Sequence, residues 1–332
     1  MNTTQPVTRR AFLQASAAAS ALSCGWPTIA RAQDNWPSRP VRIIVPYAAG
    51  QGADVLTRLL AGELQKALGQ AIVVDNRAGA GGNIGAAAAA KSPSDGYTFM
   101  LGTNATNAAN EFLFPNAGFS PGTDFAPVAM VGVLPAVLST TLAELPTNGL
   151  PQLVALAKAR PGKLAVGLTS TTAQVVFEQL VRSSGAPLLG VRYRSSGQAM
   201  TDLLGGQIPL VIDTVTATRP HLRSGHLKAL AVSSPQPTDL LPGVRTMAEQ
   251  GVAGMDLVGW DAFFAPRGTP ADIVQKVADQ LRAMLATREV RQKLLDIGVE
   301  PLFMPPSELD AYARAERKKW GDIITAAGIK AE

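Results

Sequence analysis

The chain of 332 residues contains one cysteine, Cys24, and two histidines, His221 and His226. A single thiol cannot form an internal disulfide, and two histidines without further cysteines or a nearby pair of acids do not make a usual metal site. We therefore expect both histidines to be ordinary surface residues. The fold is then expected to depend on packing alone.

Motifs of catalysis and nucleotide binding are also missing. The sequence has no H-E-x-x-H. The glycine-rich stretch 75–85 has Ile84 where a G-x-G-x-x-G that starts at Gly79 needs a glycine, and no Gly-Lys-Ser/Thr is present. An anion-binding nest and a structural turn remain as its two interpretations. We predict no catalytic residue and no cofactor.

Long, strongly apolar runs are lacking as well. The Ala/Ser-rich residues 11–30 are interrupted by Gln14, Trp26-Pro27 and serines, whereas a membrane span needs about 20 apolar residues. Thr8-Arg9-Arg10-Ala11-Phe12-Leu13 before this run and Ala30-Arg31-Ala32 after it predict a twin-arginine export signal, residues 1–32, cleaved near Ala32. The alternatives are a flexible N-terminus and lipidation at Cys24. The prediction places the mature protein in the periplasm.

The charge is modest once the signal is removed. Residues 1–32 hold three arginines and no acid, so the net charge falls from +5 to +2. This balance gives no reason to expect a nucleic-acid partner. With 46% apolar and 17% charged residues, the remaining chain of about 300 residues is long enough for two domains with proper cores.

Short β-branched runs alternate with helical stripes along the mature chain. Residues 41–45 form an apolar run before Pro46, and leucines from Leu56 to Leu68 recur with helical spacing. This alternation predicts an α/β fold with parallel sheets. Strands are predicted at 41–45, 71–74, 97–101, 136–138, 164–166, 191–193, 208–212 and 227–232, and helices at 55–68, 84–91, 150–160, 173–183, 198–204 and throughout 270–328. Residues 255–265 form a further apolar run.

No linker separates the two α/β series, so we expect two lobes joined by strands that cross between them. The crossing strand is predicted at 126–132 and the return at 233–255. Lobe 1 then comprises 33–132 and 234–332, and lobe 2 comprises 133–233. A ligand cleft is expected between the lobes, because ligands of α/β sheets lie beyond the carboxyl ends of strands.

Polar loops follow several of the predicted strands. Residues 46–54 join the first strand to its helix, and their glycines are expected to leave N–H groups free for a bound anion, unless Asp54 caps a tight turn. Thr103, Asn104 and Thr106 follow the third strand. In the second series the corresponding segments are 167–172, 193–197 and Asp213-Thr214.

The sequence resembles the periplasmic solute receptors of tripartite tricarboxylate transporters, the Bug or TctC-like proteins, over nearly its full length. The similar segments are Pro46-Tyr47-Ala48-Ala49-Gly50, Leu68-Gly69-Gln70, residues 76–85, Asp95-Gly96-Tyr97-Thr98, residues 202–207, Leu230-Ala231-Val232, Trp260 and residues 265–270.

The resemblance implies a two-lobed periplasmic-binding-protein fold of type II, without catalytic activity. It implies capture of a small carboxylate and delivery to a membrane permease with one large and one small subunit, by a monomer. The ligand-binding residues that it suggests are Tyr47, Ala48, Gly50, Gln51, Thr103, Asn104, Thr169, Ser170, Thr171, Tyr193, Ser195 and Asp213.

The sequence departs from the family pattern at a few positions. Gln51 stands where a second glycine is usual, and Gln174 stands where a histidine is usual, while Arg194 belongs to a changed turn. These side chains suggest an acidic or amide-bearing ligand. Two other functions stay open: an exported cofactor-containing enzyme, and a ligand sensor for a membrane histidine kinase.

Overall fold

The computed structural model describes residues 36–330. Of these, the residues from Arg39 onward form one compact unit that contains all the helices and strands given below. The predicted export signal, its cleavage site and Cys24 lie outside the described residues.

The first sheet begins with alternating strands and helices. Leu56, Leu60 and Leu64 are buried along one side of the first helix, and Gly69 ends it with a φ of 67°. The elements are β1 (Val41–Val45), α1 (Gly52–Leu68), β2 (Ile72–Asn76), α2 (Asn83–Ala90) and β3 (Thr98–Thr103). β1 pairs in parallel with both β2 and β3, as the alternation predicts.

A π-helical turn at Ala105–Ala109 and a short helix α3 (Asn110–Leu113) lead to the strand β4 (Phe125–Thr140), which has 16 residues. The sequence predicted two separate strands here, and that prediction was wrong. In the sequence, Pro127 and Pro135 indicate ends of strands, because proline has no N–H to donate to the hydrogen bonds of a sheet. Pro127 lies beside a register shift, and Pro135 lies where β4 changes partners, so neither interrupts the strand.

The second sheet repeats the alternation. Its elements are α4 (Leu150–Ala159), β5 (Ala165–Leu168), α5 (Thr171–Ser184), β6 (Leu189–Arg192), α6 (Ser196–Leu204), β7 (Leu210–Thr214), α7 (Val215–Arg223) and β8 (Lys228–Val232). β5 pairs in parallel with β6 and β7. Each sheet therefore has a core of three parallel strands.

The chain then returns to the first sheet through β9 (Val258–Pro266), α8 (Ala271–Ala286), α9 (Arg288–Asp296), β10 (Glu300–Met304) and α10 (Pro306–Ala327). β10 pairs antiparallel with β4. The expectation of an entirely helical tail was wrong at this strand. Its sequence, EPLFM, has a proline and lacks the alternation that marks a half-buried strand.

β4 belongs to both sheets. Up to Pro135 it pairs antiparallel with β9, and from Ala136 it pairs antiparallel with β7. The strand order is accordingly β2-β1-β3-β9-β4 in the first sheet and β4-β7-β5-β6 in the second. β4, β8, β9 and β10 thus add antiparallel strands to the two parallel cores.

Ser233 joins the three chain segments that cross between the sheets. Its N–H donates to the carbonyl of Ala136 at 2.9 Å, and its Oγ accepts from the N–H of Ala136 at 3.1 Å. The same hydroxyl donates to the carbonyl of Leu257 at 2.6 Å, and Leu257 N–H donates back to the Ser233 carbonyl at 3.3 Å. This buried serine therefore holds the three crossing segments together.

The two faces of β9 carry different residues. Trp260 lies on the face covered by α10, where Glu316 Oε2 accepts hydrogen bonds from the indole N–H of Trp260 at 3.3 Å and of Trp320 at 2.9 Å. Because successive strand residues point to opposite faces, Asp261 lies on the other face.

Candidate ligand-binding site

Polar segments of both sheets meet at the carboxyl ends of the parallel strands. β1 continues into residues 46–51, and β3 continues into Asn104. Because β9 runs antiparallel to β3, the early residues of β9 lie at the same edge, and Asp261 pairs with Thr103. Asn104 Nδ2 donates to Thr172 Oγ1, at the start of α5, at 2.8 Å. This bond joins the strand ends of the two sheets.

The loop after β1 is closed by its own hydrogen bonds. The N–H of Ala48 donates to Gln51 Oε1 at 3.2 Å, and the N–H of Gly50 donates to Asp54 Oδ2 at 2.8 Å. The expectation that the glycines of this loop leave their N–H groups free for an anion is therefore wrong for Gly50. Gln51 supplies a side-chain acceptor that a glycine at this position would lack. Asp54 accepts the N–H of Gly50 and so stabilises the turn, which agrees with the alternative interpretation of Asp54 as a cap.

Asp54 is itself held in the ionised form. Burial acts to raise its pKa, but hydrogen bonds from Arg58, from Gly50 N–H and from Asn76 outweigh this effect and keep the pKa below the usual value. Asn76 Nδ2 also donates to the carbonyl of Tyr47 at 3.1 Å. The loop is thus fastened to the ends of β1 and β2.

Tyr47, Thr103 and Asp261 lie together next to this loop; Thr103 and Asp261 are buried, and Tyr47 is half-buried. The hydroxyls of Tyr47 and Thr103 lie 2.8 Å apart and share a hydrogen bond. Burial raises the pKa of Tyr47 to about 12; the bond with Thr103 opposes this, and the nearby carboxylate of Asp261 adds to it. Burial alone raises the pKa of Asp261 to about 7. Tyr47 is therefore a neutral hydroxyl at neutral pH.

Asn104 occupies space that a glycine leaves open. A Cβ at Gly259 would lie 2.9 Å from the carbonyl of Leu134 and 3.5 Å from Asn104 Oδ1. Any side chain at 259 would thus crowd the strand and the amide. Gly259 and Asp261 lie on the same face of β9, so the amide of Asn104 lies at the face of β9 that carries Asp261.

The first turns of two helices lie side by side at this edge. A Cβ on Gly52, the first residue of α1, would lie 3.9 Å from Cγ2 of Thr216, the second residue of α7. The buried Oγ1 of Thr216 has no hydrogen-bond partner among the described residues. Since the first N–H groups of a helix lack intrahelical acceptors, both helix ends bring partial positive charge to this place.

Several hydroxyls at the strand ends of the second sheet serve as helix caps. Ser170 Oγ accepts from Ala173 N–H at 3.1 Å at the start of α5, and Ser195 Oγ accepts from Gln198 N–H at 3.3 Å at the start of α6. Thr214 does the same for α7. These bonds are the ordinary N-cap arrangement.

Tyr193 also serves its own lobe. Its hydroxyl donates to Asp202 Oδ2 in α6 at 2.9 Å, and its ring packs on the apolar cluster that contains Ile208. Burial raises the pKa of Tyr193 to about 12, with the Asp202 carboxylate acting in the same direction. The hydroxyl that sequence analysis assigned to a ligand is thus engaged inside the protein.

Asp213 is the buried acid of the second sheet, with 3% of its surface exposed. Burial raises its pKa to about 6, although Ser196, Thr169 and the N–H of Thr214 oppose this. Thr214 N–H donates to Oδ1 at 2.7 Å, while Oδ2 finds no partner among the described residues. Asp213 therefore has one free acceptor.

The remaining candidates of the second sheet differ in exposure. Thr169 and Thr171 are half-buried, and Thr169 Oγ1 donates to the carbonyl of Ile212 at 3.5 Å. Gln174 is buried, and its Oε1 has no partner among the described residues. Arg194 is exposed. The glutamine is thus enclosed in the protein, whereas the arginine is not.

The glycine-rich loop between β2 and α2 forms a turn that supports Tyr47. Gly82 has a φ of 100°, and a Cβ there would lie 2.8 Å from Thr106 Cγ2 and 3.4 Å from the Tyr47 hydroxyl. Asn110 Nδ2 donates to the carbonyl of Gly81 at 3.0 Å. Of the two interpretations of this loop, these contacts favour the structural turn.

Sequence analysis missed Asp261, Gly259 and Thr216, and it named Thr172 only as part of the polar segment 167–172. Asp261 belongs to a segment predicted only as an apolar run, and the strand direction of β9 could not be read from it. One signal was present in the sequence, namely an acid inside a run of apolar residues. Such an acid is expected to be buried, and a buried acid needs a hydrogen-bond partner or a functional role.

Neither a metal site nor a membrane span emerges from the described residues. Residues 36–330 contain no group of three or more His, Cys, Asp or Glu side chains that could hold a metal ion. None of the helices in that range is long and apolar enough to cross a membrane. His226 is exposed and its Nδ1 lies 3.0 Å from the hydroxyl of Ser224.

Comparison with known proteins agrees with this architecture. Residues 56–329 match the model of the tripartite tricarboxylate transporter family receptor. Protein BugT of Bordetella pertussis is 37% identical over 300 residues, which are 90% of this chain and 92% of BugT.

Two solved structures are also similar. R. palustris Rpa4515 with adipate has 35% identity and a TM-score of 0.83, over 89% of this chain and 99% of that one. MatC from Rhodopseudomonas palustris with bound malate has 30% identity and a TM-score of 0.77, over 87% of this chain and all of MatC.

The fold is therefore that of the two-lobed periplasmic solute-binding proteins. The chain belongs to the tripartite tricarboxylate transporter receptor family. This membership makes it a periplasmic receptor that works with a transporter.

Proposed function

We propose that this receptor binds a small carboxylate between the strand ends of its two sheets and delivers it, without catalysis, to a permease with one large and one small subunit. The observation that carries this proposal is the bond from Asn104 to Thr172, since it joins the polar edges of the two sheets. Adipate and malate, seen with Rpa4515 and MatC, support a carboxylate ligand.

The carboxylate is proposed to lie near the first turns of α1 and α7, where partial positive charge and free N–H groups favour an anion. Tyr47, Thr103 and Asn104 supply hydroxyl and amide groups beside it. Ala48, Gly50 and Gln51 shape the loop, and Thr169 and Asp213 face it from the second sheet. Ser170, Thr171, Ser195 and Tyr193 contribute indirectly, by fixing the starts of α5 and α6.

Capture is proposed to follow from closure of two lobes, 33–132 with 234–332 and 133–233. The change of partners along β4 between Pro135 and Ala136 and the bonds of Ser233 support a hinge at these residues. Ligand contacts that exist only in the closed form shift the equilibrium toward that form. The permease is proposed to recognise the surface of the closed form.

The export route and the assembly state belong to the same proposal. The arginine pair and the small-residue site of residues 1–32 support export through the twin-arginine route, with cleavage near Ala32. The mature receptor is proposed to act as a monomer.

The test is a binding survey on the chain from Gln33 onward. Thermal-shift screening against mono-, di- and tricarboxylates is expected to give a raised melting temperature with a small group of acids. Small-angle scattering with the best acid is expected to give a smaller radius of gyration. A melting temperature and a scattering curve that no carboxylate changes would contradict the proposal, as would turnover of a bound acid.

A further inference from the structure

Asp261 has a buried carboxyl group to which no other residue in the described part of the chain, 36–330, forms a hydrogen bond. Only 3% of the residue is exposed, and Oδ2 is buried without a hydrogen bond among the described residues. An unpaired buried carboxylate is costly, and proteins normally provide an opposite charge or several donors. No basic side chain of residues 36–330 forms an ion pair with it.

The surroundings of this carboxyl group are those of the proposed binding site. Across the strand pair lies Thr103, whose hydroxyl is bonded to Tyr47. On the other side Asp261 pairs with Gly132, where a Cβ would lie 2.5 Å from Cγ1 of Val299. The amide of Asn104 lies beside Gly259, on the same face of β9 as Asp261. The niche is thus lined by hydroxyls, an amide and a methyl group, with no cation.

Two more buried acceptors near the strand ends have no partner among the described residues, Asp213 Oδ2 and Gln174 Oε1 of the second sheet. Asn107 Nδ2, in the turn after β3, and the hydroxyl of Thr216 are donors that also lack a partner within residues 36–330. Neither donor is bonded to Asp261 in this part of the chain. Because Asp261 is an acid, the ligand group that suits it best is a positively charged donor.

We propose that Asp261 is a specificity-determining residue that accepts hydrogen bonds from the ammonium group of an amino-acid ligand, whose carboxylate is held at the helix N-termini. This inference rests on the proposed function and narrows its ligand class. Acids without an amine leave Asp261 unpaired in a closed site, and they bind more weakly for that reason.

The first test compares matched acids with the same carbon chain. Calorimetric titration of the leaderless protein at pH 8 uses aspartate with succinate, glutamate with glutarate, 2-aminoadipate with adipate, and phenylalanine with 3-phenylpropanoate. In the pair of the best-fitting size, the amine-bearing acid is expected to bind at least about 10-fold more tightly, which is the usual effect of one charged hydrogen bond.

The second test removes the charge and keeps the shape. Asp261→Asn is expected to reduce the amine preference by at least about 10-fold, mainly by weakening the amino acid. Asp239→Asn makes the same chemical change at an exposed position and is expected to keep the preference. Circular dichroism and melting curves check that both variants fold.

The outcomes separate the two proposals. If no acid of any pair binds, the receptor function fails, and the assignment of Asp261 fails with it. If acids bind and the amine gives no advantage, or if Asp261→Asn keeps the full preference, only the assignment of Asp261 is overturned. Should that variant fail to fold, the wild-type pairs decide, and preference for the acid without an amine rejects the inference.

Discussion

The strand ends of the two sheets use similar polar residues in different ways. In the second sheet, the hydroxyls of Ser170, Ser195 and Tyr193 bond to their own helices. In the first sheet, Tyr47 and Thr103 bond to one another beside the carboxyl group of Asp261, whose Oδ2 has no partner among the described residues. Both edges hold a buried acid with an unpaired oxygen, but Asp213 of the second sheet accepts a bond from Thr214 N–H, whereas Asp261 has no such bond within residues 36–330.

This difference teaches that hydroxyl content alone does not identify the ligand-facing side. Ser and Thr after a strand are favoured as N-caps, so a cluster of them is explained without a ligand. An unpaired acid inside a core has no such explanation. The following predictions test this contrast, from the largest expected effect to the smallest.

The largest effect is expected from the two buried acids as the pH changes. An unfolded aspartate loses its proton near pH 4, whereas folded Asp261 loses it near pH 7. Between these values the folded state binds more protons than the unfolded state, so the stability of the ligand-free protein falls as the pH rises. Asp261→Asn removes this loss and is expected to raise the free energy of unfolding at pH 8 by roughly 2–4 kcal/mol.

Asp213→Asn is the matched variant on the second sheet. Its pKa is raised only to about 6, so the gain at pH 8 is expected to be smaller, and the loss of stability ends at a lower pH. Urea unfolding between pH 4 and pH 8 measures the free energy of unfolding of both variants and of the wild type. Equal slopes with pH in the wild type and in Asp261→Asn would contradict this account.

An intermediate effect is expected from removal of one tyrosine hydroxyl on each sheet. Tyr47→Phe deletes a group of the proposed site, and ligand affinity is expected to fall about 10-fold. Tyr193→Phe deletes the bond to Asp202, and the free energy of unfolding is expected to fall by about 1 kcal/mol with ligand affinity kept. Calorimetry and urea unfolding of both variants separate the two roles. Loss of ligand affinity in Tyr193→Phe but not in Tyr47→Phe would show that the tyrosine of the second sheet, and not that of the first, contacts the ligand.

The smallest effect is expected from a helix cap. Ser170→Ala removes the acceptor for Ala173 N–H at the start of α5, which typically costs about 1 kcal/mol. Ser170→Asp keeps an acceptor there and serves as the control, with stability close to that of the wild type. Equal stability of the alanine and aspartate variants would show that the cap has no effect.

The sequence predicted the parallel cores well, because β1, α1 and β5 carry strong local patterns. The leucine stripe of α1 and the glycine at 69 are sufficient to place that helix to within a few residues. β4 and β10 were less accessible, since Pro127, Pro135 and Pro301 disturb the local signal while tertiary pairing maintains the strands.

The candidate site was predictable only in part for a related reason. Loops that directly follow parallel strands can be found from chain order alone. Asp261 and Gly259 reach the same edge because β9 runs antiparallel, and Thr216 does so because α7 approaches α1. These approaches depend on the packing of distant segments, which a single sequence does not reveal.

Trp260 immediately precedes Asp261, and its indole shares Glu316 with Trp320 on the opposite face of the sheet. A charge that is neutralised at residue 261 changes the electric field across this adjacent chromophore. The wavelength of tryptophan emission depends on that field. Occupancy of the receptor can accordingly be followed by intrinsic fluorescence, without an attached dye.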